Sequence, residues 1–358
     1  MSDTDLLALT RELVEIPSTS HHETAMADRV VAALGDCDWL TIDRVADNVV
    51  ARTELGRGRR VVMAGHLDTV TPTAGSGATQ HDDVLWGVGA ADMKGGLAVM
   101  LDLARTLSEP ATDVTWCFYA CEEVAREYSG LERLWRERPD LLAADAAILG
   151  EPTDCRVEAG CQGTLRVVVT LGGIRAHTAR PFTGRNAIHR LAPLLDRVAR
   201  WGGRSVVLGG CEYVEQLQAV GIEGGVAGNV VPDLATLTVN FRFAPDRDVR
   251  SATQFLEGLF DGLIDEELSD AFTVVDGADG APPSLDHPLL GALVAATGEP
   301  ARAKAGWTDV ASFWAHGVPA ANFGPGDPLL AHHPDERVER RALDRARAVL
   351  GALLSAPG

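Results

Sequence analysis

Short apolar runs alternate with helical patterns through the N-terminal part of the chain, and this alternation limits the fold more than any other feature. The runs read NVVART, RRVVMAGH, DVTWCFYACEE and DAAILGEP, and the segment KGGLAVMLDLARTL between them has helical spacing. Two further helices are predicted ahead of these runs, one ending before Pro17 and one from Glu23 to Leu34. Strands mixed with helices predict an α/β sheet covered on both faces.

From Leu165 the pattern changes to strand, helix, strand, strand, helix, strand, which is the β-α-β-β-α-β module known as the ferredoxin-like or split βαβ arrangement. After it, the chain returns to a helix and the apolar run VPAANFG, typical of the first part. The pattern therefore predicts a catalytic domain of residues 1–163 and 279–358, with a lid domain of residues 164–278 inserted into it.

Composition narrows the class of partner. The 358 residues are 46% hydrophobic and 23% charged, which is ordinary for a globular protein. With 32 basic and 51 acidic residues, the net charge of −19 argues against nucleic acid or an anionic membrane as partner. No signal-peptide pattern or membrane-length apolar run is present, so a cytoplasmic protein is expected. The six cysteines form no C-x-x-C pair, which indicates neither a zinc finger nor a disulfide framework.

The stretch GVGAADMKGG is similar to a dinucleotide-binding loop, but one position differs. Gly87 and Gly89 fit the G-x-G-x-x-G pattern, whereas Asp92 stands where the third glycine belongs. A carboxylate there would repel a phosphate and attract a cation. We therefore favour a metal site over a nicotinamide-binding loop.

Several acids and one histidine follow the predicted strands or the loop before the predicted helix. In open α/β sheets, sites form at the carboxyl ends of strands, so these side chains are expected to converge. For each acid alone, a helix cap or first-turn acid is the alternative. The residues are His66, Asp68, Asp92, Glu122, Glu123 and Glu151.

Adjacent Glu122 and Glu123 are expected to have different roles, because neighbouring side chains that leave a strand point in opposite directions. One could bind a metal while the other acts on a water. A hydrolytic site often holds a second metal about 3.5–4 Å from the first, and a bridging aspartate would suit such a pair. His332 or His333 could complete the second metal's ligands, the alternative being a polar turn before the last helix.

Seven motifs then carry a resemblance that spans nearly the whole chain. They read, in order, GHLDTV, GVGAADMKGG, CEEV, GEPTD, RAHTARPFTGRNAI, GNVVPD and AHHPDERV. In order and spacing the chain resembles the di-zinc metallopeptidase and amidohydrolase family, which includes desuccinylases, acetylornithine deacetylases, aminoacylases and glutamate carboxypeptidases. The resemblance implies a mixed-sheet, di-zinc aminopeptidase-like catalytic domain with an inserted ferredoxin-like lid and dimerisation domain.

The resemblance also implies a role for each matching residue. Two Zn²⁺ ions per chain are expected, with Co²⁺ as a substitute, and the peptide bond after the bridging aspartate is expected to be cis. The first metal would bind His66 and Glu151, the second Glu123 and His332, and Asp92 would bridge them, while Glu122 would be the general base and Asp68 would orient His66.

In the lid, His177 matches a histidine that reaches the active site of a partner subunit and steadies the oxyanion, which implies a homodimer through the lid domain. Asn229 and Arg242 match residues that hold the substrate's carboxylate, and Arg's fork geometry suits that task. An exposed structural role is the alternative for Arg242. Thr308, in GWTD, is the remaining candidate for substrate binding.

The stretches EAGCQGTLRV, AKAGWTDVASF and NFGPGDPLLAHHPDERV look most like actinobacterial-type desuccinylases of lysine biosynthesis. The activity this implies is hydrolysis of N-succinyl-LL-2,6-diaminopimelate, a small acidic N-acyl amino acid, to succinate and LL-2,6-diaminopimelate. An acetylornithine deacetylase or N-acyl-amino-acid aminoacylase is the alternative within the family. A metal-free scaffold protein is the alternative from another class.

Overall fold

The computed structural model of the chain describes residues 4–72 and 77–356, except the side chain at position 266. The chain divides into two compact units. Unit 1 comprises Met1–Gly160, Pro283–Arg302 and Thr308–Gly358, and unit 2 comprises Cys161–Pro282 and Ala303–Trp307. The domain boundaries and the lid role predicted from the sequence stay predictions.

In residues 4–72 and 77–160, the N-terminal part of unit 1 contains five helices and eight strands. Asp5 begins the first helix by accepting a hydrogen bond from the backbone N–H of Ala8, and Leu6, Leu7 and Leu13 bury its apolar face. The helices are α1 Leu6–Glu15, α2 Thr24–Leu34, α3 Gly95–Thr106, α4 Gly130–Glu137 and α5 Pro139–Leu142. The strands are β1 Thr41–Val45, β2 Asn48–Arg52, β3 Arg60–His66, β4 Thr79–His81, β5 Val84–Trp86, β6 Asp113–Tyr119, β7 Ala146–Leu149 and β8 Glu158–Ala159.

Unit 2 has the predicted ferredoxin-like arrangement. Its elements are β9 Gly163–Gly172, β10 Ala176–His177, α6 Ala187–Arg200, β11 Ser205–Leu208, β12 Cys211–Val214, β13 Gln216–Gly224, β14 Val230–Val231, β15 Leu234–Phe243, α7 Val249–Leu259 and β16 Ala271–Ala278. The main sheet has the antiparallel order β13-β15-β9-β16. Alternate residues of β15 are buried, and those of one face pack with the apolar sides of α6 and α7.

The chain then completes unit 1. The remaining elements are α8 Pro288–Thr297, β17 Arg302–Ala303, α9 Val310–Ala315, β18 Ala320–Asn322, β19 Arg337–Glu339 and α10 Arg340–Ser355. Short 3-10 turns lie at Arg126–Tyr128, Pro181–Thr183, Glu266–Leu268 and Pro328–Leu330, and an irregular helical turn at Ala90–Lys94.

The large sheet has the order β1-β2-β6-β3-β7-β18-β8-β17. Its four central strands, β6, β3, β7 and β18, run parallel, whereas β2 and β8 pair antiparallel with their neighbours. The mixed α/β sheet predicted from the sequence is therefore confirmed. Because the central strands are parallel, the segments that follow His66, Tyr119 and Leu149 all leave the sheet at the same edge.

Candidate metal centre

Acids and a histidine lie together at the carboxyl edge of the parallel strands, at the end of one strand and in the loops that follow two others. His66 is the last residue of β3, Glu122 and Glu123 follow β6, and Glu151 follows β7. Asp92 belongs to the turn before α3, with the cis peptide bond Asp92–Met93 that the resemblance implies. The described residues thus bring to one edge the acids that the sequence placed at strand and helix ends.

Asp92 lies between two histidines. Its Oδ1 is 3.2 Å from His66 Nε2, and its Oδ2 is 3.6 Å from His332 Nε2. His332 Nε2 is also 2.8 Å from Glu123 Oε1. Each oxygen of the Asp92 carboxylate therefore faces a different set of ligand atoms.

Among the residues that the structure describes, potential metal ligands form three overlapping groups, in each of which the ligand atoms lie within 4.8 Å of one another. The groups are His66, Asp92 and Glu151; Asp92, Glu123 and His332; and His66, Glu122 and Glu123. The first two share Asp92 and between them contain all five residues predicted as ligands. One histidine nitrogen and two carboxylate oxygens form a ligand set that suits Zn²⁺ and leaves a coordination position open.

The neighbouring His333 is oriented differently from His332. Its Nδ1 accepts the backbone N–H of Asp335 at 3.1 Å, so this ring nitrogen is engaged within its own turn. His332 has a left-handed backbone, with φ of 61°, and a half-exposed side chain. Of the two histidines, His332 is the one whose ring is at the acids.

Glu122 lies half-buried in strongly acidic surroundings. Burial raises the pKa of Glu122 well above its ordinary value, and the charges of Glu151, Asp309 and Glu123 raise it further against the opposing effect of His66. Burial by itself would lower the pKa of His66, but the carboxylates of Asp68 and Asp92 raise it well above its ordinary value. The centre therefore concentrates negative charge that a cation would neutralise.

Asp68 contacts more than His66. Its backbone carbonyl is 2.9 Å from His66 Nδ1, whereas its nearer carboxylate oxygen is 3.6 Å away. The two carboxylate oxygens instead accept the backbone N–H groups of Glu122 and Glu123, each at 3.0 Å, and the Ser20 hydroxyl at 2.7 Å. Although burial raises the pKa of Asp68, its interactions with His66, Glu122 and Ser20 lower it to about 2.

The predicted orientation of Glu122 and Glu123 is wrong. Strand β6 ends at Tyr119, and Cys121 has a left-handed backbone with φ of 58°. The two glutamates do not leave an extended strand in opposite directions, and both bring a carboxylate oxygen to the same group with His66. Different roles for them must come from their surroundings, not from strand geometry.

Glu336 and Glu23 are buried acids that were not predicted as site residues. Glu336 Oε1 accepts the backbone N–H groups of Ala91 and Asp92, both at 3.0 Å, and burial raises the pKa of Glu336 to about 7 despite these bonds. Glu23 Oε1 accepts the backbone N–H of Cys121 at 3.0 Å. The position of Glu336 in the motif AHHPDERV is a sequence signal for it, whereas Glu23 is recognisable only as an acid at the start of a predicted helix.

Three of the predicted residues belong to unit 2, and Thr308 to unit 1. His177 is exposed on β10, and its Nδ1 accepts the backbone N–H of Ala179, while the carbonyl of Asn229 accepts the N–H of Thr178. Burial, with the neighbouring charge of Arg166, lowers the pKa of Arg242 on β15. Thr308 is buried and donates its hydroxyl to Asn322 at 3.2 Å. Their substrate-binding and catalytic roles stay predictions.

Comparison with known proteins finds relatives over nearly the whole chain. Residues 62–356 match the model of peptidase family M20/M25/M40. A Mycobacterium tuberculosis protein named provisionally as a succinyl-diaminopimelate desuccinylase is 51% identical over 97% of this chain and 98% of its own length. The Corynebacterium glutamicum succinyl-diaminopimelate desuccinylase is 43% identical over 98% of this chain and 96% of its own.

The fold is shared with more distant structures. An M20 family metallo-carboxypeptidase from Sulfolobus solfataricus superposes with a TM-score of 0.79 at 18% identity, covering 99% of both chains. Across the residues described, the helices fall short of the length and apolarity that crossing a bilayer requires. On the family model and the two close relatives, the chain belongs to peptidase family M20/M25/M40.

Proposed function

We propose that the chain is a di-zinc amidohydrolase that hydrolyses N-succinyl-LL-2,6-diaminopimelate to succinate and LL-2,6-diaminopimelate. The observation that carries the chemistry is the position of Asp92, with Oδ1 toward His66 and Oδ2 toward His332. A carboxylate that faces two sets of ligands can serve as the bridging ligand of a two-metal hydrolytic site.

The donor atoms support zinc. His66, Glu151 and Asp92 would hold one ion, and Glu123, His332 and Asp92 the other. Mixed imidazole and carboxylate ligands in low number also accept Co²⁺, which we expect to substitute. When bound, the ions would supply Lewis acidity that polarises the amide carbonyl and lowers the pKa of the attacking water.

Glu122 would move the proton. Its carboxylate takes a proton from water as the water oxygen bonds to the amide carbonyl carbon, and it returns that proton to the nitrogen as the C–N bond breaks. The backbone of Glu122 is held by the carboxylate of Asp68. The 2.8 Å contact between Glu123 and His332 supports Glu123 as the ligand, which leaves Glu122 to act as the base.

The substrate is proposed from the two named relatives, which align over nearly the whole chain. The direct test compares kcat/KM for N-succinyl-LL-2,6-diaminopimelate, N-acetylornithine and a set of N-acetyl amino acids, with Zn²⁺ added. We expect the succinyl substrate to be preferred by at least about 100-fold, because a pocket that pairs a substrate carboxylate leaves buried polar groups unpaired with an acetyl compound. Preference for acetylornithine or acetyl amino acids would assign the chain to the alternative activity. If none of these compounds is hydrolysed, the alternative of a metal-free scaffold protein would be favoured.

We extend the proposal to a homodimer formed through residues 164–278, in which His177 acts in the partner's site. The exposed position of His177 on β10 is compatible with this. Mixing an inactive His177→Ala protein with an inactive Glu122→Gln protein should restore about a quarter of wild-type activity, because a statistical mixture of chains makes half the dimers mixed and gives each of these one intact site. Absence of recovery in a verified mixed dimer would place His177 in its own chain's site.

A further inference from the structure

The loop that carries Glu122 and Glu123 is held by side chains in an unusual way. Four consecutive backbone N–H groups, from Ala120 to Glu123, each donate to a side-chain oxygen of another segment. The acceptors are Asn48 Oδ1 for Ala120, Glu23 Oε1 for Cys121, and Asp68 Oδ1 and Oδ2 for Glu122 and Glu123, all at 3.0 Å.

The three acceptor residues are buried, at 2% exposure or less. Hydrogen bonds to a carboxylate are stronger than those between neutral groups, and burial shields them from water. The segment follows the end of β6, where sheet pairing no longer fixes the backbone. These side chains therefore determine its conformation in place of strand partners.

Cys121 is the point at which the chain turns. Its φ of 58° is left-handed, a conformation that a residue with a Cβ adopts only when its surroundings compensate for the cost. Glu23 Oε1 accepts both the Cys121 backbone N–H at 3.0 Å and the Cys121 Sγ–H at 3.2 Å. The same oxygen accepts the backbone N–H of His21 at 3.1 Å, which fixes Glu23 itself.

We infer that Glu23 is a positioning residue for the catalytic loop: by holding Cys121 in its left-handed turn, it aims Glu122 and Glu123 at the centre. The inference rests on the proposed function for the roles of those two glutamates. Asp68 fixes the loop after the turn, and Glu23 fixes the turn itself. All three hydrogen bonds end on one oxygen, so the position of that oxygen matters more than the charge of the group.

Two substitutions separate position from charge. Glu23→Gln removes the charge but keeps a carbonyl oxygen where Oε1 stands, whereas Glu23→Asp keeps the charge and withdraws the oxygen by one bond. We expect Glu23→Gln to retain kcat within about threefold, and Glu23→Asp to lose roughly 10- to 100-fold in kcat with little change in KM, the range typical for residues that orient a metal ligand.

Amide hydrogen exchange provides a readout that needs no substrate. Exchange at residues 120–123 should be at least about tenfold faster in Glu23→Asp than in wild type, and close to wild type in Glu23→Gln, because an amide exchanges when its hydrogen bond opens. Zinc titration should show one weakened site in Glu23→Asp, since Glu123 is the ligand that the loop carries.

Asp113 offers a matched control at the other end of β6. It is also a buried carboxylate that accepts backbone N–H groups, those of Leu55 and Arg57, and the Thr53 hydroxyl. Asp113→Glu also displaces an acceptor oxygen by one bond, here by lengthening the side chain, and it does so away from the centre. It should lower the melting temperature while leaving kcat of the folded enzyme and exchange at residues 120–123 unchanged.

The outcomes are distinct. Faster exchange and lower kcat in Glu23→Asp with a near-normal Glu23→Gln support the positioning role. The inference is overturned if Glu23→Asp matches wild type in exchange and kcat, or if Glu23→Gln is the more impaired of the two, which would make charge decisive. If wild type hydrolyses no N-acyl amino acid while the exchange results hold, the proposed function fails and the role of Glu23 in holding the loop stands.

Discussion

Glu336 accepts a hydrogen bond from the backbone N–H of Asp92 at 3.0 Å across 244 positions of sequence. The same oxygen accepts the N–H of Ala91, and the Glu336 side chain is buried. The segment that carries His332 therefore also holds the turn that carries Asp92. The Glu336 carboxylate thus connects the segment of His332 with the turn of Asp92, in addition to any bound metal.

Glu336→Ala should lower kcat by roughly 10- to 100-fold and weaken metal binding, because the Asp92 turn loses its acceptor. Glu336→Gln keeps an oxygen in place and should retain most activity. Steady-state kinetics and metal content by mass spectrometry measure both effects. Asp335→Ala, which alters the exposed neighbour, is the control and should behave as wild type. Full activity and metal content in Glu336→Ala would refute the role.

Glu122 and Glu123 should respond differently to the same change. Glu122→Gln should lower kcat by about 10²–10⁴-fold with two metals still bound, because it removes the base and leaves the ligands. Glu123→Gln should lose one metal, since its carboxylate is 2.8 Å from His332. Metal content measured beside kcat distinguishes the two, and loss of metal in Glu122→Gln would instead make Glu122 a ligand.

The adjacent histidines provide a second matched pair. His332→Ala should bind a single metal and lose activity, because its ring nitrogen lies at Glu123 and Asp92. His333→Ala should keep both metals, since the His333 ring bonds within its own turn. Calorimetric zinc titration of both variants checks this. Equal metal loss in the two would show that the segment, not the His332 ring, is what the site requires.

Asp270 should make the stability of unit 2 depend on pH. Burial raises the pKa of Asp270, but bonds from Arg190 and from the N–H groups of Asp265 and Gly172 outweigh it, so the pKa is lowered. A carboxylate whose pKa is lower in the folded state contributes its full stabilisation of that state at pH values above its unfolded pKa of about 3.9. This stabilisation is lost as the pH falls through the pKa of the folded state.

Asp270→Asn should therefore cost about 3 kcal/mol of unfolding free energy at pH 7, the range for breaking a buried ion pair, and the deficit should shrink below about pH 4. Urea unfolding followed from pH 7 to pH 3 measures it. Asp233→Asn, in the more exposed pair with Arg175, should leave this profile unchanged. A deficit that is constant over the whole pH range would show that packing, not ionisation, is responsible.

Gly96 in α3 lies against the loop that carries Glu151. A Cβ at Gly96 would be 2.2 Å from the carbonyl oxygen of Gly150. Gly96→Ala should lower stability by about 1–3 kcal/mol and weaken metal binding, because backbone must move to admit the methyl group. At Gly258 in α7, no described atom outside its chain neighbours and its own helix backbone lies within 4 Å of such a Cβ, so Gly258→Ala should raise stability by up to about 1 kcal/mol. Thermal unfolding compares them; a neutral Gly96→Ala would contradict the close packing.

The sequence predicted what depends on local pattern. The end of β3 at His66 and of β7 before Glu151 followed from apolar runs that stop at a polar residue, and the inserted ferredoxin-like unit followed from its alternation of strand and helix. The end of β6 at Tyr119 was missed, because no glycine or proline marks it. The turn at Cys121 depends on Glu23, 98 residues away, and no local preference predicts a contact of that kind.

The same limit explains the incomplete role given to Asp68. Its spacing from His66 suggested a bond within one strand end, but its carboxylate is used by the backbone of the next loop in space. Glu336 lies within the motif AHHPDERV, yet the N–H group that it accepts belongs to the distant turn of Asp92. Residues that hold other residues by backbone contacts over long sequence separations require coordinates to be found.

The position of β18 has a consequence for how the chain is made. This strand pairs with β7 on one side and β8 on the other, although the whole of unit 2 separates it from both in sequence. After β7 and β8 have been synthesised, residues 160–319 must still follow before β18, so the edges of β7 and β8 that pair with β18 stay unpaired until then. Open strand edges favour aggregation, and pairings distant in sequence form slowly. The nascent chain therefore has a long interval in which chaperone binding would protect it, and truncation before Ala320 should leave unit 1 unable to complete its sheet.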